Sequence, residues 1–451
     1  MAEQRHTGMQ RRTFLSLLAV PAIAHLLQSC GDDSQKSGSS GVDGVGRSSL
    51  RGAAVRVTTG ADPTAAAAAI NAFSADLYQR LVAADPSANL VFSPASIALA
   101  LAMASAGAKG PTLQEMDSVL HITDATTIHR SLNGLAAGLE ALNRSQDNTA
   151  DGGTGTSEVQ LSIANSLWGQ ADVRFEQAFL DLLSAEYDAG IELVDYKADP
   201  QAARDAINTW VAQQTNDRIP QLLGEGTITP DTRLTLVNAI YLKANWDQVF
   251  TKELTADEPF TAPGGEVTVS MMHTTGEFGY AAGEGWQAVD LPYVFGSLSF
   301  TVLVNDALTT GGDNGGAALP SGDEVFAALE HHAVQLGLPK FDIETSTSLA
   351  EVLGAMGMAT AFDKTADFSG MTTDEQLIIG DVIHQANITV DEEGTEAAAA
   401  TAVVMVATSA EVPQEPVVLT IDRPFTFWLR DRATGTIVFM GRVNDPSATR
   451  G

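Results

Sequence analysis

The residue types that most often carry chemistry are scarce in this chain and poorly spaced for catalysis. There are eight histidines and one cysteine among 451 residues. No His-Glu-x-x-His pair occurs, and one cysteine cannot build a zinc cluster. No Gly-x-Ser-x-Gly elbow is present to hold a nucleophilic serine on a strand-to-helix turn. His331 and His332 are adjacent and read as surface residues. His384 lies beside Asn387 in LIIGDVIHQANITV, where a general base or a satisfied core histidine is possible, the second being favoured. The Gly-rich stretches 146–157 and 311–323 match no phosphate-cradling pattern and read as surface loop insertions. No enzyme active site, cofactor or metal site emerges.

One stretch stands apart for its conformational ambiguity. Residues 391–413 read DEEGTEAAAATAVVMVATSAEVP. The alanines have the highest helix propensity, while the following valines and threonines prefer strands. A segment that both conformations accept suits a moving part.

The elements around it follow from periodicity and punctuation. Residues 63–81 carry Ile70, Phe73, Leu77 and Leu81 at helical spacing. Leu90, Val91 and Phe92 predict a short buried strand, and Ser93-Pro94 then starts a helix that is apolar on nearly every side. Further strands are predicted over 159–168, 234–242 and 299–304, and helices over 176–187 and 200–214. Two buried strands, 425–430 and 437–442, flank a Gly turn at 433–435. Helices and strands mix without a regular βαβ alternation, which predicts an α+β fold.

Composition narrows the partners and the address. The formal charge is −31, from 25 basic and 56 acidic residues. This argues against nucleic acid, which needs a basic patch, and against electrostatic docking on anionic lipid. Residues 1–29 read as an export signal: Arg11 and Arg12 precede an apolar run too short to span a bilayer comfortably. The RRTFL stretch is similar to a twin-arginine signal, and Leu27-Gln28-Ser29-Cys30 resembles a bacterial lipoprotein processing box with lipid on Cys30. Residues 30–62, rich in Gly and Ser, read as a flexible tether to a globular region over 63–451. The protein is therefore expected outside the cytoplasm, lipid-anchored to a bacterial membrane or extracellular, and touching membrane through the anchor alone.

Five blocks, in order, resemble the serpin family between about residues 64 and 446. They are NLVFSPASIALALAMASAGAKGPTLQEM, LVNAIYLKANWDQVF, LPKFDIETSTSLAEVLGAMGMATAFDKTADFSGM, IGDVIHQANITVDEEGTEAAAATA and DRPFTFWLRDRATGTIVFMGRVNDP. The resemblance implies three β-sheets, about eight or nine helices and an exposed reactive loop near residues 392–413. It implies an inhibitor of serine proteases that acts as a suicide substrate and a monomer. The protease cuts the loop, and the cut loop inserts into the central sheet before the acyl-enzyme is hydrolysed. Glu392, Glu393, Gly394, Thr395, Glu396, Ala397, Ala398, Ala399 and Ala400 become the hinge. Ser93, Ser96, Asn238 and His384 become a polar cluster beneath the opening sheet, with Trp246 where the loop first enters. The family's spacing puts the cleaved bond about 14 residues beyond Gly394, at Thr408-Ser409. Bonds after Ala407 and Met405 remain open.

The residues support insertion on their own terms. With period two, Thr395, Ala397, Ala399, Thr401 and Val403 share one face, and Glu396, Ala398, Ala400 and Ala402 the other. The one charge thus falls opposite the threonines, where solvent is expected to hold it. Gly394 gives the backbone freedom to swing, and no proline interrupts the ladder before Pro413. A small residue at 408 points to an elastase- or subtilisin-like target rather than a trypsin-like one. A papain-like cysteine protease, or a non-inhibitory serpin-fold binding lipoprotein, is the alternative.

Overall fold

Apolar alternation and helical stripes resolve into two large β-ladders with helices packed about them. The computed structural model describes residues 40–43, 47–148, 156–305, 320–396 and 415–448. The export signal, Cys30, residues 397–402 and the Thr408-Ser409 bond lie outside the described residues.

The first ladder runs β1 (Ser40–Asp43), β2 (Arg47–Leu50), β6 (Ile191–Val194), β5 (Thr156–Gln170), β7 (Leu234–Asn245), β15 (Gly394–Thr395), β14 (Val382–Val390), β13 (Phe341–Ser348). A further strand, β4 (Arg144–Asp147), pairs with β5, so part of the expected 146–157 loop is a hairpin. The second ladder runs β16 (Val417–Thr420), β12 (Glu330–Pro339), β9 (Gly265–Gly283), β10 (Trp286–Pro292), β11 (Leu298–Asn305), β17 (Phe425–Asp431), β18 (Ile437–Val443), β3 (Leu90–Phe92). There β8 (Ala256–Ala262) pairs with β9. Strand β9 is long enough to pair with β8 at its start, β12 along its middle and β10 at its end. The second and third of the three expected sheets therefore share one unbroken ladder. The result is an α+β fold, as the mixed pattern of helices and strands predicts.

Eight α-helices occur among the described residues: α1 (Thr64–Ala84), α2 (Pro94–Ser105), α3 (Gly110–Val119), α4 (Ile128–Glu140), α5 (Gln177–Tyr187), α6 (Pro200–Gln214), α7 (Gly322–Ala328) and α8 (Ala350–Leu353). Helix α2 starts where Ser93 Oγ accepts the Ser96 N–H at 3.2 Å, and every residue of it is buried. It lies against β5, β7 and β18. Strand alternation sends Leu236, Ile240 and Leu242 into that main core. The same alternation sends Val237 and Ala239 to the other face, where Ile207 and Val211 of α6 cover them. Each fully buried side chain of this kind contributes roughly 1.5–3 kcal/mol.

Residues 47–62 fall within the expected tether but are structured. Strand β2 pairs antiparallel with β6, using the hydrogen-bonding groups that an edge strand leaves open. Beyond it, the Gly52 N–H donates to Ser184 Oγ at 2.8 Å and the Ala53 N–H to Asp181 Oδ1 at 2.8 Å. Arg56 donates to Asn133 Oδ1 at 2.7 Å and forks onto Glu140 at 2.9 Å. A Cβ at Gly52 would lie 2.4 Å from the Asp181 Cα, so glycine permits the close approach. Composition predicted a tether from its Gly and Ser content; main-chain pairing and the contacts of Arg51, Arg56 and Arg130 order the segment instead.

Candidate functional site

The first ladder is open at its centre. Strands β7 and β14 run parallel and pair at the base, from Leu236–Val382 to Ala239–Gln385. Higher up, β15 lies between them, with Gly394 opposite Asn245 and Thr395 opposite both Ala244 and Val390. The hinge thus enters the sheet from the upper end. Gly394 holds φ 151, and a Cβ there would sit 2.0 Å from the Ala244 carbonyl oxygen. No other residue type fits this register without strain.

A turn built on Asp391 aims the hinge. Its carboxylate accepts the Glu393 N–H at 2.8 Å and the Gly394 N–H at 3.2 Å, while its own N–H donates to Gly394 O at 3.0 Å. Trp246, at the end of β7, provides the floor. Its indole donates to Asp391 O at 2.9 Å, its backbone N–H donates to Glu393 O at 2.9 Å, and its ring stacks on Tyr293 at 4.5 Å. The Tyr293 hydroxyl meets the Thr395 hydroxyl at 2.6 Å, so Thr395 is buried beneath the sheet. Burial raises the Tyr293 phenol, against the opposing Thr395 hydrogen bond.

Three cations from distant parts of the chain hold the hinge carboxylates. Lys340 donates to Glu392 at 2.7 Å and Thr255 to the other Glu392 oxygen at 2.8 Å. Lys252 pairs with Glu393. Arg218 pairs with Glu396 at 3.2 Å. Burial pushes the Glu392 carboxyl up, but the Lys340 and Thr255 hydrogen bonds outweigh it and leave the group below its ordinary value. The Glu393 hydrogen bond raises the Lys252 ammonium. Glu396 corrects the sequence reading: it does lie opposite Thr395, but its side chain is 1% exposed and its charge rests on Arg218, not on water. The segment following α6 covers that face of the sheet.

Below the hinge, the structure brings Ser93, Ser96, Asn238 and His384 together. The Ser93 N–H donates to His384 Nε2 at 3.1 Å, and His384 Nδ1 meets Asn238 Oδ1. The ring is therefore neutral, with its proton on Nδ1. Asn238 Nδ2 donates to Ser96 Oγ at 2.6 Å and to Asn165 Oδ1 at 2.6 Å, and Ser93 Oγ donates to Val438 O at 2.7 Å. The cluster ties α2, β5, β7, β14 and β18 into one network at the point where β7 and β14 still touch. Trp246 belongs to the hinge and not to this network. Sequence reasoning missed Asn165, Tyr293, Lys252, Lys340 and Arg218. Their partners lie between 52 and 178 residues away, and none sits in a local motif that would mark it. Ala397, Ala398, Ala399 and Ala400 lie outside the described residues.

A short chain segment that re-enters its own central sheet above a buried polar cluster marks out one class of α+β proteins. The sequence model of the family described as Serpin (serine protease inhibitor) matches residues 68–446. The chain belongs to the serpin family. It is 38% identical over 378 residues to an uncharacterised serpin-like protein of Thermococcus kodakarensis, covering 84% of this chain and 85% of that protein. It is 35% identical over 383 residues to a leukocyte elastase inhibitor of Xenopus tropicalis, covering 83% and 97%. Among solved structures, the native state of the thermophilic serpin tengpin matches with a TM-score of 0.71 and 27% identity, covering 84% and 93%. Uncleaved ovalbumin matches with a TM-score of 0.73 and 26% identity, covering 84% and 99%.

The buried histidine makes stability pH-dependent in a defined sense. Burial lowers His384 from 6.5 to about 3. Between these values the unfolded chain binds a proton that the folded chain does not, so stability falls as pH drops through that window. Replacing His384→Gln removes this term. The stability advantage of wild type over the variant is expected to shrink by up to about 1.4 kcal/mol per pH unit between pH 6 and 4. Parallel urea-denaturation curves of the two proteins across that range contradict the assignment.

Proposed function

We propose that this serpin inhibits proteases as a suicide substrate, with the cut loop inserting between β7 and β14. The observation that carries the reading is the open centre of the first ladder. Its two middle strands pair at the base and take the hinge between them at the top. Such a slot offers ladder hydrogen bonds to a new strand, each contributing about 1 kcal/mol net. The loop sequence suits the slot, with small residues at 397–402 and no proline until Pro413. Relatives named leukocyte elastase inhibitor, at about a third identity along nearly their whole length, favour the same reading.

The mechanism is a race between insertion and hydrolysis. A protease serine attacks the carbonyl of residue 408, expels the Ser409 amine and leaves an ester to the loop. Hinge residues behind the cut then continue down the slot in the register set by Gly394 and Thr395, dragging the enzyme with them. Thr408 at the cut, small and uncharged, supports an elastase- or subtilisin-like target; a papain-like cysteine protease is the second class to test.

Export and anchoring belong to the same proposal. Arg11-Arg12 before an apolar run, and Cys30 after Leu27-Gln28-Ser29, support an inhibitor tethered by lipid outside the cytoplasm. In a bacterial host that processes lipoproteins, wild type is expected in the membrane fraction and Cys30→Ser in the soluble one; equal partition of the two contradicts the anchor.

The inhibitory claim is tested by mixing the purified chain with elastase-, subtilisin-, chymotrypsin- and papain-like proteases. The expected result is a covalent 1:1 band on a denaturing gel, with a released peptide that begins at Ser409. Clean loop cleavage with full survival of every protease contradicts inhibition. A released peptide beginning outside the 406–409 region contradicts the assigned bond.

A further inference from the structure

Glu396 marks the point where the seated hinge leaves the sheet. Gly394 and Thr395 are in ladder register, but Glu396 turns to φ 52, a left-handed conformation that a residue with a Cβ adopts at a cost. Its N–H still donates to Thr389 O at 3.1 Å, so the turn-off is held and not merely loose. Its carboxylate is almost fully buried against Arg218, whose own side chain is 45% exposed.

The segment that presents Arg218 is itself braced. After α6, Asn216 and Asp217 turn through left-handed φ values of 50 and 59. The Asp217 N–H donates to Ala212 O at 2.8 Å, the Arg218 N–H to Thr215 O at 3.0 Å and the Ile219 N–H to Thr215 Oγ1 at 3.2 Å. Asn216 lies near the Tyr241 hydroxyl of β7 on the same face. Asn387 of β14 donates to Arg218 O at 3.4 Å. Arg218 is thus fixed over both strands that flank the hinge.

We propose that Arg218 is a positioning residue: its pairing with Glu396 keeps the uncut hinge seated two residues deep in the sheet. A buried carboxylate without its cation is costly, so losing Arg218 alone drives Glu396 out toward water and takes Thr395 with it. Losing both charges together removes that drive. Lysine supplies the charge without the planar fork, so it restores part of the effect. The consequence for trapping rests on the inhibitory reading above. A hinge already in register shortens the insertion that must outrun ester hydrolysis, so an unseated hinge yields more cut inhibitor per trapped protease.

Hydrogen exchange with mass spectrometry on the intact chain tests the hinge independently of inhibition. In peptides covering residues 389–396, R218Q is expected to exchange at least about tenfold faster than wild type, because a buried carboxylate loses the Arg218 cation. R218K should fall between them, and R218Q/E396Q should return to within about threefold of wild type. Peptides from β17 and β18 should not change in any variant. Equal exchange in R218Q and wild type, or a double variant as fast as R218Q, overturns the proposal. With a protease that wild type traps, the stoichiometry of inhibition by R218Q should rise at least about twofold and recover in R218K. Faster exchange with an unchanged stoichiometry overturns the positioning role in trapping. A wild type that traps no protease overturns the inhibitory reading alone, and exchange still decides what Arg218 does at the hinge.

Discussion

The structure depends on an incomplete pairing between two parallel strands. Strands β7 and β14 share a ladder only over Leu236–Ala239 and Val382–Gln385, and Gly394 and Thr395 fill the top of the space between them. Backbone amides and carbonyls buried without partners are expensive. A gap between two strands offers ladder positions, and Gly394 and Thr395, which follow β14 in the chain, occupy two of them. The turn on Asp391 folds that segment back toward the slot and so fixes its direction. Gly394 allows the close approach to the Ala244 carbonyl that fixes its register.

Two sets of polar contacts lie at the two ends of the slot. At the base, His384, Asn238, Ser93, Ser96 and Asn165 hold β5, β7 and β14 over the start of α2. Because the network is buried and its histidine is neutral, disturbing one member leaves others unsatisfied. At the top, Lys340, Lys252 and Arg218 each hold one carboxylate of the hinge. Their side chains are 39%, 61% and 45% exposed, while the carboxylates they hold are only 8%, 8% and 1% exposed. Together they orient a segment whose neighbours are alanines with little side chain to grip.

Much of the fold was legible in the sequence because its strands and helices are strongly patterned. The strand at Leu90–Phe92, the Ser93 cap and Pro94, the all-buried α2, and α6 over Pro200–Gln214 follow from local rules. Gly394 was legible as a position that needs backbone freedom, and it holds φ 151; the alanines after it lie outside the described residues. What stayed hidden was pairing across distance. Nothing near Lys252 or Arg218 in sequence indicates a glutamate more than a hundred residues later. Glu396 lies on the face opposite Thr395 although its φ of 52 takes it out of the strand, and its environment was not foreseen because the turn after α6 lies over that face. Residues 47–62 look like linker by composition, and only the open edge of β6 and the placement of Asn133 and Glu140 explain their order.

The central claim is that the slot between β7 and β14 is filled by the loop once the loop is cut, with a large gain in stability. It is tested most directly by cleaving the purified chain at the loop with a protease it does not trap and comparing thermal unfolding before and after. The account predicts that the nicked chain unfolds at least about 20 °C higher than the intact one, because some ten new ladder bonds and several buried side chains are added at once. A nicked chain that unfolds at the same temperature as the intact chain, or lower, would contradict it.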